Sequence, residues 1–177
     1  MIPTDNDLRI LFEGKPEEYL DLYREELDEI LAPDEDDEPD DFEDFGDIDS
    51  LDVEELFEIL FTIPMTDDDD YCETINMLAD EFLPYDVDSD YEDDEMIVYI
   101  DEDRHVIDDL LGAYPIIRQF DAIIKPDFET RVMKLSLDED NVHSLIILKS
   151  EVWKELETKY GTKVAAYFGK IDKIDFN

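Results

Sequence analysis

The sequence predicts an α+β protein: an acidic, mainly helical N-terminal half followed by a small mixed α/β unit with an antiparallel sheet. Three observations predict it. Apolar residues recur at helical spacing before residue 85, and apolar runs of strand length appear after residue 95. The charge divides between the same two regions. The 177 residues hold 55 Asp and Glu against 14 Lys and Arg, a formal net charge of −41. Residues 1–103 carry 42 acids against three bases, whereas residues 104–177 carry 13 against 11. No Lys or Arg occurs from residue 25 to residue 103, a window that holds 36 acids. The expected division is an acidic region 1–95 and a near-neutral α/β domain 96–177.

Thr4 with Asp7 has the form of a capping box for a helix through Phe12. Pro16 then stands at a favoured first helical position, with Glu17 and Glu18 in the first turn. Leu20, Tyr23, Leu27, Ile30 and Leu31 follow at helical spacing. Pro33, Pro39 and Gly46 interrupt the next stretch, so residues 33–48 are expected to be an acidic loop. Ser50 is a candidate cap for a helix with Leu51, Leu56, Ile59, Leu60 and Ile63 inward, ended by Pro64. Thr66 with Asp69 is a second capping-box pair, before a stripe of Tyr71, Ile75, Leu78 and Phe82 that Pro84 stops. Residues 85–95, "YDVDSDYEDDE", lack helical periodicity and are expected to form a second acidic loop.

"MIVYI" (96–100) predicts a buried strand, followed by a helix carrying Val106, Ile107, Leu110, Leu111 and Tyr114. "FETRVMKLSL" (128–137) and "VHSLIIL" (142–148) predict paired strands around an acidic turn at 138–141. Ser150 is a candidate cap for the helix "SEVWKELETKYG", with Gly161 at its C-terminal position. "VAAYFGKIDKIDF" (164–176) predicts one or two closing strands.

Several kinds of chemistry lack their residues. A lone cysteine, Cys72, leaves no disulfide framework or cysteine-based zinc site and is expected to be buried or half-buried. His105 and His143 are too few for a histidine-rich metal site, and are expected at a helix start and in a strand. An EF-hand loop begun at Asp41 would place Phe45 at a ligand position and Asp52 where a bidentate Glu is needed. One begun at Asp86 would place Tyr91 where glycine must turn. Five glycines form no phosphate-binding loop, and an acidic cleft repels phosphate. With 55 acids, proximity of two carboxylates does not define a catalytic pair. No enzymatic activity, cofactor or metal is therefore expected. The N-terminal "MIPTDNDLRI" has neither the basic nor the apolar region of a signal peptide, and no apolar run is long enough to span a bilayer. A cytoplasmic protein without membrane contact is expected.

Direct nucleic-acid binding fails on the sign of the charge, because neutralising phosphates takes clustered Lys and Arg. Binding to a basic partner remains. The acids are interleaved with "LFEILFTI" and "INMLADEFL", which are costly to leave in water, so the charge is expected on a folded surface. The candidate contact residues are Asp34, Glu35, Asp36, Asp37, Glu38, Asp40, Asp41, Phe42, Glu43, Asp44 and Phe45 in the first acidic run. Asp67, Asp68, Asp69 and Asp70 form the second, and Asp86, Asp88, Asp90, Tyr91, Glu92, Asp93, Asp94 and Glu95 the third. Phe42, Phe45, Tyr85 and Tyr91 punctuate these runs as pins onto the core or as anchors in a partner.

In charge and size, residues 1–103 resemble the phage-encoded DNA-mimic proteins that disable host restriction or CRISPR enzymes. That resemblance implies an inhibitor whose carboxylates imitate a phosphate track. The partner would be a nuclease, a restriction or CRISPR effector, or another DNA-binding protein, blocked at its nucleic-acid groove. The alternative is an acidic adaptor or histone-type chaperone for basic proteins. A shorter stretch, "LIILKSEVWKELETKYG" (145–161), resembles the strand–helix–Tyr-Gly end of domains in ubiquitin-specific proteases and carries no catalytic group.

Overall fold

The structure is a computed structural model, and it describes residues 1–32, 48–66, 70–92, 95–101, 103–108, 112–138 and 142–174. Among them are seven α-helices and two antiparallel sheets, an α+β fold. The chain forms two compact units, Pro3–Phe61 and Met1–Ile2 with Thr62–Asn177. The division falls at 61/62 rather than at the 95/96 boundary drawn from charge. Residues 62–92 supply a strand and a helix to the larger unit, and that packing outweighs their acidic composition.

The smaller unit is built from α1 (Asp5–Glu13), α2 (Pro16–Ile30), a 3-10 turn at Ile48–Ser50, and α3 (Val53–Phe61). Each helix contacts the other two. Thr4 caps α1 in the expected box: its Oγ1 accepts from Asp7 N at 3.4 Å, and its own N–H donates to Asp7 Oδ2 at 2.7 Å. Gly14 ends α1 in the left-handed region, φ 70°, where a side chain is disfavoured. Asp52, not Ser50, caps α3. Its Oδ1 accepts from Glu54 N at 2.8 Å and Glu55 N at 3.0 Å, while Glu55 Oε2 accepts from Asp52 N. Leu8, Leu11, Phe12, Tyr19, Leu27, Phe57 and Phe61 are fully buried.

Asp7 is buried among them and bonded on every side. Its Oδ2 accepts from Thr4, its Oδ1 accepts from Tyr23 Oη at 2.8 Å, and its carbonyl accepts from Tyr19 Oη. Tyr23 has non-helical angles (φ −126°, ψ 20°) that break α2 into two segments with neither Pro nor Gly at the break. The same ring packs edge-on against Phe61, 5.6 Å between centroids.

In the larger unit, β1 (Ile63–Thr66) is a strand, where Ile63 and Pro64 were expected to be the end of a helix. Pro64 is tolerated because β1 is an edge strand, which has a side needing no ladder bonds. Asp70 then caps α4 (Tyr71–Phe82), its Oδ1 accepting from Cys72 N at 3.0 Å and Glu73 N at 3.4 Å. Thr66 closes β1 instead of forming that cap, and Asp69, its expected partner, lies outside the described residues. Cys72, Ile75, Leu78, Ala79 and Phe82 are the buried stripe of α4.

Within the stretch 85–95 expected to be a loop, Val87–Glu92 and Glu95 are strand instead. β2 (Val87–Glu92) pairs with β3 (Glu95–Ile100), which pairs with β4 (Asp103–Ile107) in a three-stranded meander. Val87, Ser89 and Tyr91 alternate with Asp88, Asp90 and Glu92, and the buried Ser89 hides this strand pattern from a hydrophobicity reading. Its Oγ lies 2.8 Å from both Cys72 O and Asn76 Oδ1 of α4. Likewise, Val106 and Ile107 belong to a strand and not to a helix, and Leu110 and Leu111 lie outside the described residues. Asp101, at φ 53°, turns the chain back so that Ile100 pairs with Asp103.

α5 (Ala113–Ile124) follows, and of the residues expected in a helix here only Tyr114 among the described ones lies in it; Pro115 is tolerated in its first turn. β5 (Phe128–Met133) and β6 (Val142–Lys149) pair antiparallel as expected, joined by a 3-10 turn at Leu135–Asp138. α6 (Ser150–Tyr160) begins with Ser150 as its first helical residue, with no side-chain cap. The segment expected to be strand divides into α7 (Thr162–Tyr167) and β7 (Phe168–Lys170). The four-stranded sheet has the order β1-β6-β5-β7. Leu145 through Leu148 are all buried, and both α4 and α6 contact β6.

The Asp7 cluster yields a pH prediction. Burial, and next its hydrogen bond to Asp7, push the Tyr23 phenol up to about 12. A folded-state value above the ordinary one near 10 contributes stability that is present below about pH 10 and lost as pH rises toward 12. Chemical denaturation followed by circular dichroism should therefore show a steep alkaline loss. Tyr23→Phe should lower stability at pH 7 by about 2 kcal/mol and flatten that loss. An unchanged alkaline profile in the variant contradicts the assignment.

Candidate interaction surface

Bases are scarce in the smaller unit, and all three have acidic partners. Arg9 holds Glu13 at 2.7 Å and also Glu18, Lys15 holds Glu13 and Glu18 at 2.7 and 2.9 Å, and Arg24 pairs with Asp49. Arg9, and next Lys15, draw the Glu18 carboxyl down to about 2. The remaining acids of α2 are Glu17, Asp21, Glu25, Glu26, Asp28 and Glu29. All six are exposed, and no ion pair reaches them among the described residues.

With Glu18, α2 carries seven carboxylates in 15 residues. At about 1.5 Å per residue this is one charge per roughly 3.2 Å of axis, against about 3.4 Å for one strand of duplex DNA. The break at Tyr23 divides the series, with Glu17, Glu18 and Asp21 before it and the other four after it. Leu22 and Ile30 stand exposed among these acids, each at 53%.

The meander carries the second set. Asp88, Asp90 and Glu92 occupy alternate positions of β2 and so share one face. Their spacing is about 6.8 Å, twice the axial interval between charges on one DNA strand. Glu92 stands directly opposite Glu95, a like-charge pair that destabilises a ladder by itself. Tyr99 Oη donates to Glu92 at 2.7 Å, and Arg104 approaches Glu92 and Glu95 at 3.7 and 3.6 Å. The hydrogen bond to Glu92 is the main reason the Tyr99 phenol is raised.

The expected contact residues divide accordingly. Asp86, Asp88, Asp90, Tyr91, Glu92 and Glu95 are exposed along β2 and the start of β3. Asp70 is exposed, but its carboxylate serves as the cap of α4. Asp34 to Phe45, Asp67 to Asp69, Asp93 and Asp94 lie outside the described residues. The exposed acids of α2 are not among the expected contact residues, although their helix was read from the sequence. The available signal is the four-residue spacing of Glu17, Asp21, Glu25 and Glu29.

Cys72 is buried and His143 lies in β6 as expected, whereas His105 is in β4 rather than at a helix start. No group of His, Cys, Asp and Glu suited to a metal ion occurs among the described residues. No helix there is long and apolar enough to cross a membrane. No family model matches the chain, and no curated protein or solved structure matches it either.

Ordered carboxylates with so few counter-charges repel one another in the free protein, and salt screens that repulsion. Between about 20 mM and 0.5 M NaCl the melting temperature should rise by about 4–8 °C, equivalent to about 2 kcal/mol. A melting temperature independent of salt contradicts a folded surface of this density.

Proposed function

We propose that this chain is an acidic DNA mimic that binds a basic nucleic-acid-binding protein or nuclease and inhibits it by occupying its DNA or RNA site. The observation that supports the reading most strongly is the series of seven carboxylates on α2, six of them without an ion pair among the described residues, carried by a helix at nearly the charge interval of a DNA strand. The β2 face adds a second series, and within each of the two elements the anionic groups keep their own spacing before any partner arrives. Inhibition needs no chemistry from this chain. Competition for the groove suffices, with association accelerated by long-range attraction and weakened by salt. A restriction or CRISPR effector in a host cytoplasm is the kind of target this reading names.

The test is capture from a cell lysate on immobilised full-length protein, with elution by duplex DNA at constant ionic strength. The captured proteins should be nucleic-acid-binding and should be displaced by the duplex. A triple variant, Glu25→Gln with Asp28→Asn and Glu29→Gln, should weaken capture about tenfold, the sum of three partly exposed ion pairs. Basic proteins that stay bound in excess duplex would favour the adaptor or chaperone reading, and equal capture by the triple variant would remove α2 from the interface.

A further inference from the structure

The larger unit contains a local reversal of charge. Beside β7, the edge strand opposite β1 in the four-stranded sheet, lies an open cleft of about 600 Å³. Arg131, Lys134, Lys170 and Lys173 line it, and Glu157 is the one acid among the described residues that does. The volume falls within the range of small-molecule sites, about 300–1,000 Å³. Charges farther away than about 8 Å are largely screened at physiological salt, so these four cations, rather than the net −41, set the potential a small ion meets.

The walls are built and not merely gathered. Arg131 is buried, 1% exposed, with its guanidinium 4.1 Å from the Trp153 ring centre. It donates to Glu129 Oε1 at 2.8 Å and to Glu157 Oε1 at 2.7 Å. Lys134 Nζ donates to Ala165 O at 2.6 Å, which fixes it against α7. The opposite side is the turn after β7, where Arg118 donates to Ile171 O at 3.0 Å and also to Ile174 O. Ile174 folds onto Gly169 so closely that a Cβ there would lie 2.6 Å from Ile174 Cδ1. Phe168 adds apolar lining.

Glu157 displays what the cleft recognises. Its carboxylate is held by Arg131 and by Lys170 at 3.0 Å, while the side chain stays 40% exposed. Burial acts to raise the Glu157 carboxyl, but Lys170 and Arg131 outweigh it and hold it below the usual range. With Glu129, which also receives Arg131 and lies 3.7 Å from Lys170, two carboxylates meet four cations, leaving positive charge in excess. We propose that the cleft beside β7 binds a small polyanion through phosphate or carboxylate groups, which Arg131, Lys170, Lys134 and Lys173 receive in competition with Glu157. This site is independent of the acidic surface and has the opposite preference.

The test is an amide chemical-shift titration of the full chain with inorganic pyrophosphate, and separately with citrate, at 0.15 M salt. Saturable shifts at Gly161, Thr162, Gly169, Lys170 and Lys173, with a Kd of about 1 mM or tighter, support the site. The stronger of the two probes tells whether phosphate or carboxylate is preferred. Lys173→Gln, in an exposed turn, should weaken binding about three- to fivefold, and Glu157→Gln should tighten it by a similar factor through loss of the competing anion. Shifts that never saturate, or Kd values unmoved by both variants, overturn the proposal.

Discussion

Mutual repulsion among 55 carboxylates is the constraint to which the rest of this structure answers. A core has to be buried beneath them without burying them. Among the described residues only Asp7 and Asp121 are buried acids, and each is met by donors. Asp7 takes Thr4 and Tyr23, while Asp121 takes Thr130 N at 2.7 Å and Lys125 at 2.7 Å. An unmet carboxylate in either place would cost several kcal/mol, a sizeable part of the stability of an ordinary domain.

The two units handle the charge differently. The smaller one confines its three bases to Glu13, Glu18 and Asp49, and leaves the outward acids of α2 without ion pairs among the described residues. Its stability rests on buried Phe, Tyr and Leu side chains, with the rings of Tyr19, Phe57 and Phe61 packed at tilted angles, 5.0–6.5 Å between centroids. The larger unit covers both faces of β6 and collects most of its cations near β5, α6 and β7. That separation gives one molecule an anionic exterior and a cationic cleft. It also explains how charge of one sign becomes a fixed pattern: rigid helices and strands, not chain composition, determine the intervals between carboxylates.

Much of the fold was legible, for identifiable reasons. The Thr4–Asp7 box, Pro16 at the start of α2, the stripe of α4 and the β5–β6 pair all announce themselves through capping chemistry or periodicity. The failures share a cause. β2 presents Ser89 where a strand usually shows an apolar residue, and the hydrogen bonds to Cys72 and Asn76 that make Ser89 suitable exist only in the folded state. β4 follows a turn through Asp101 in place of the Asn-Gly or Asp-Gly that usually marks a tight hairpin. β1 contains a proline that only its edge position permits. Charge misplaced the boundary as well, because acidity describes the exterior of α4 and β2 while packing depends on their interior. Of the candidate contacts, the β2 residues follow from the acidity of their run, whereas the acids of α2 are spread through a periodic helix and lie outside the three densest acidic runs.

The central claim is that the carboxylates of α2 and β2 belong to folded elements in the free protein. Hydrogen exchange at physiological salt tests this directly, residue by residue, without knowledge of the partner. Amides within the second segment of α2, after Tyr23, and along the paired side of β2 should exchange at least about a hundredfold more slowly than in an unstructured chain. Exchange at the unstructured rate through both segments would mean that the charge rides on a disordered tail, and would contradict the account.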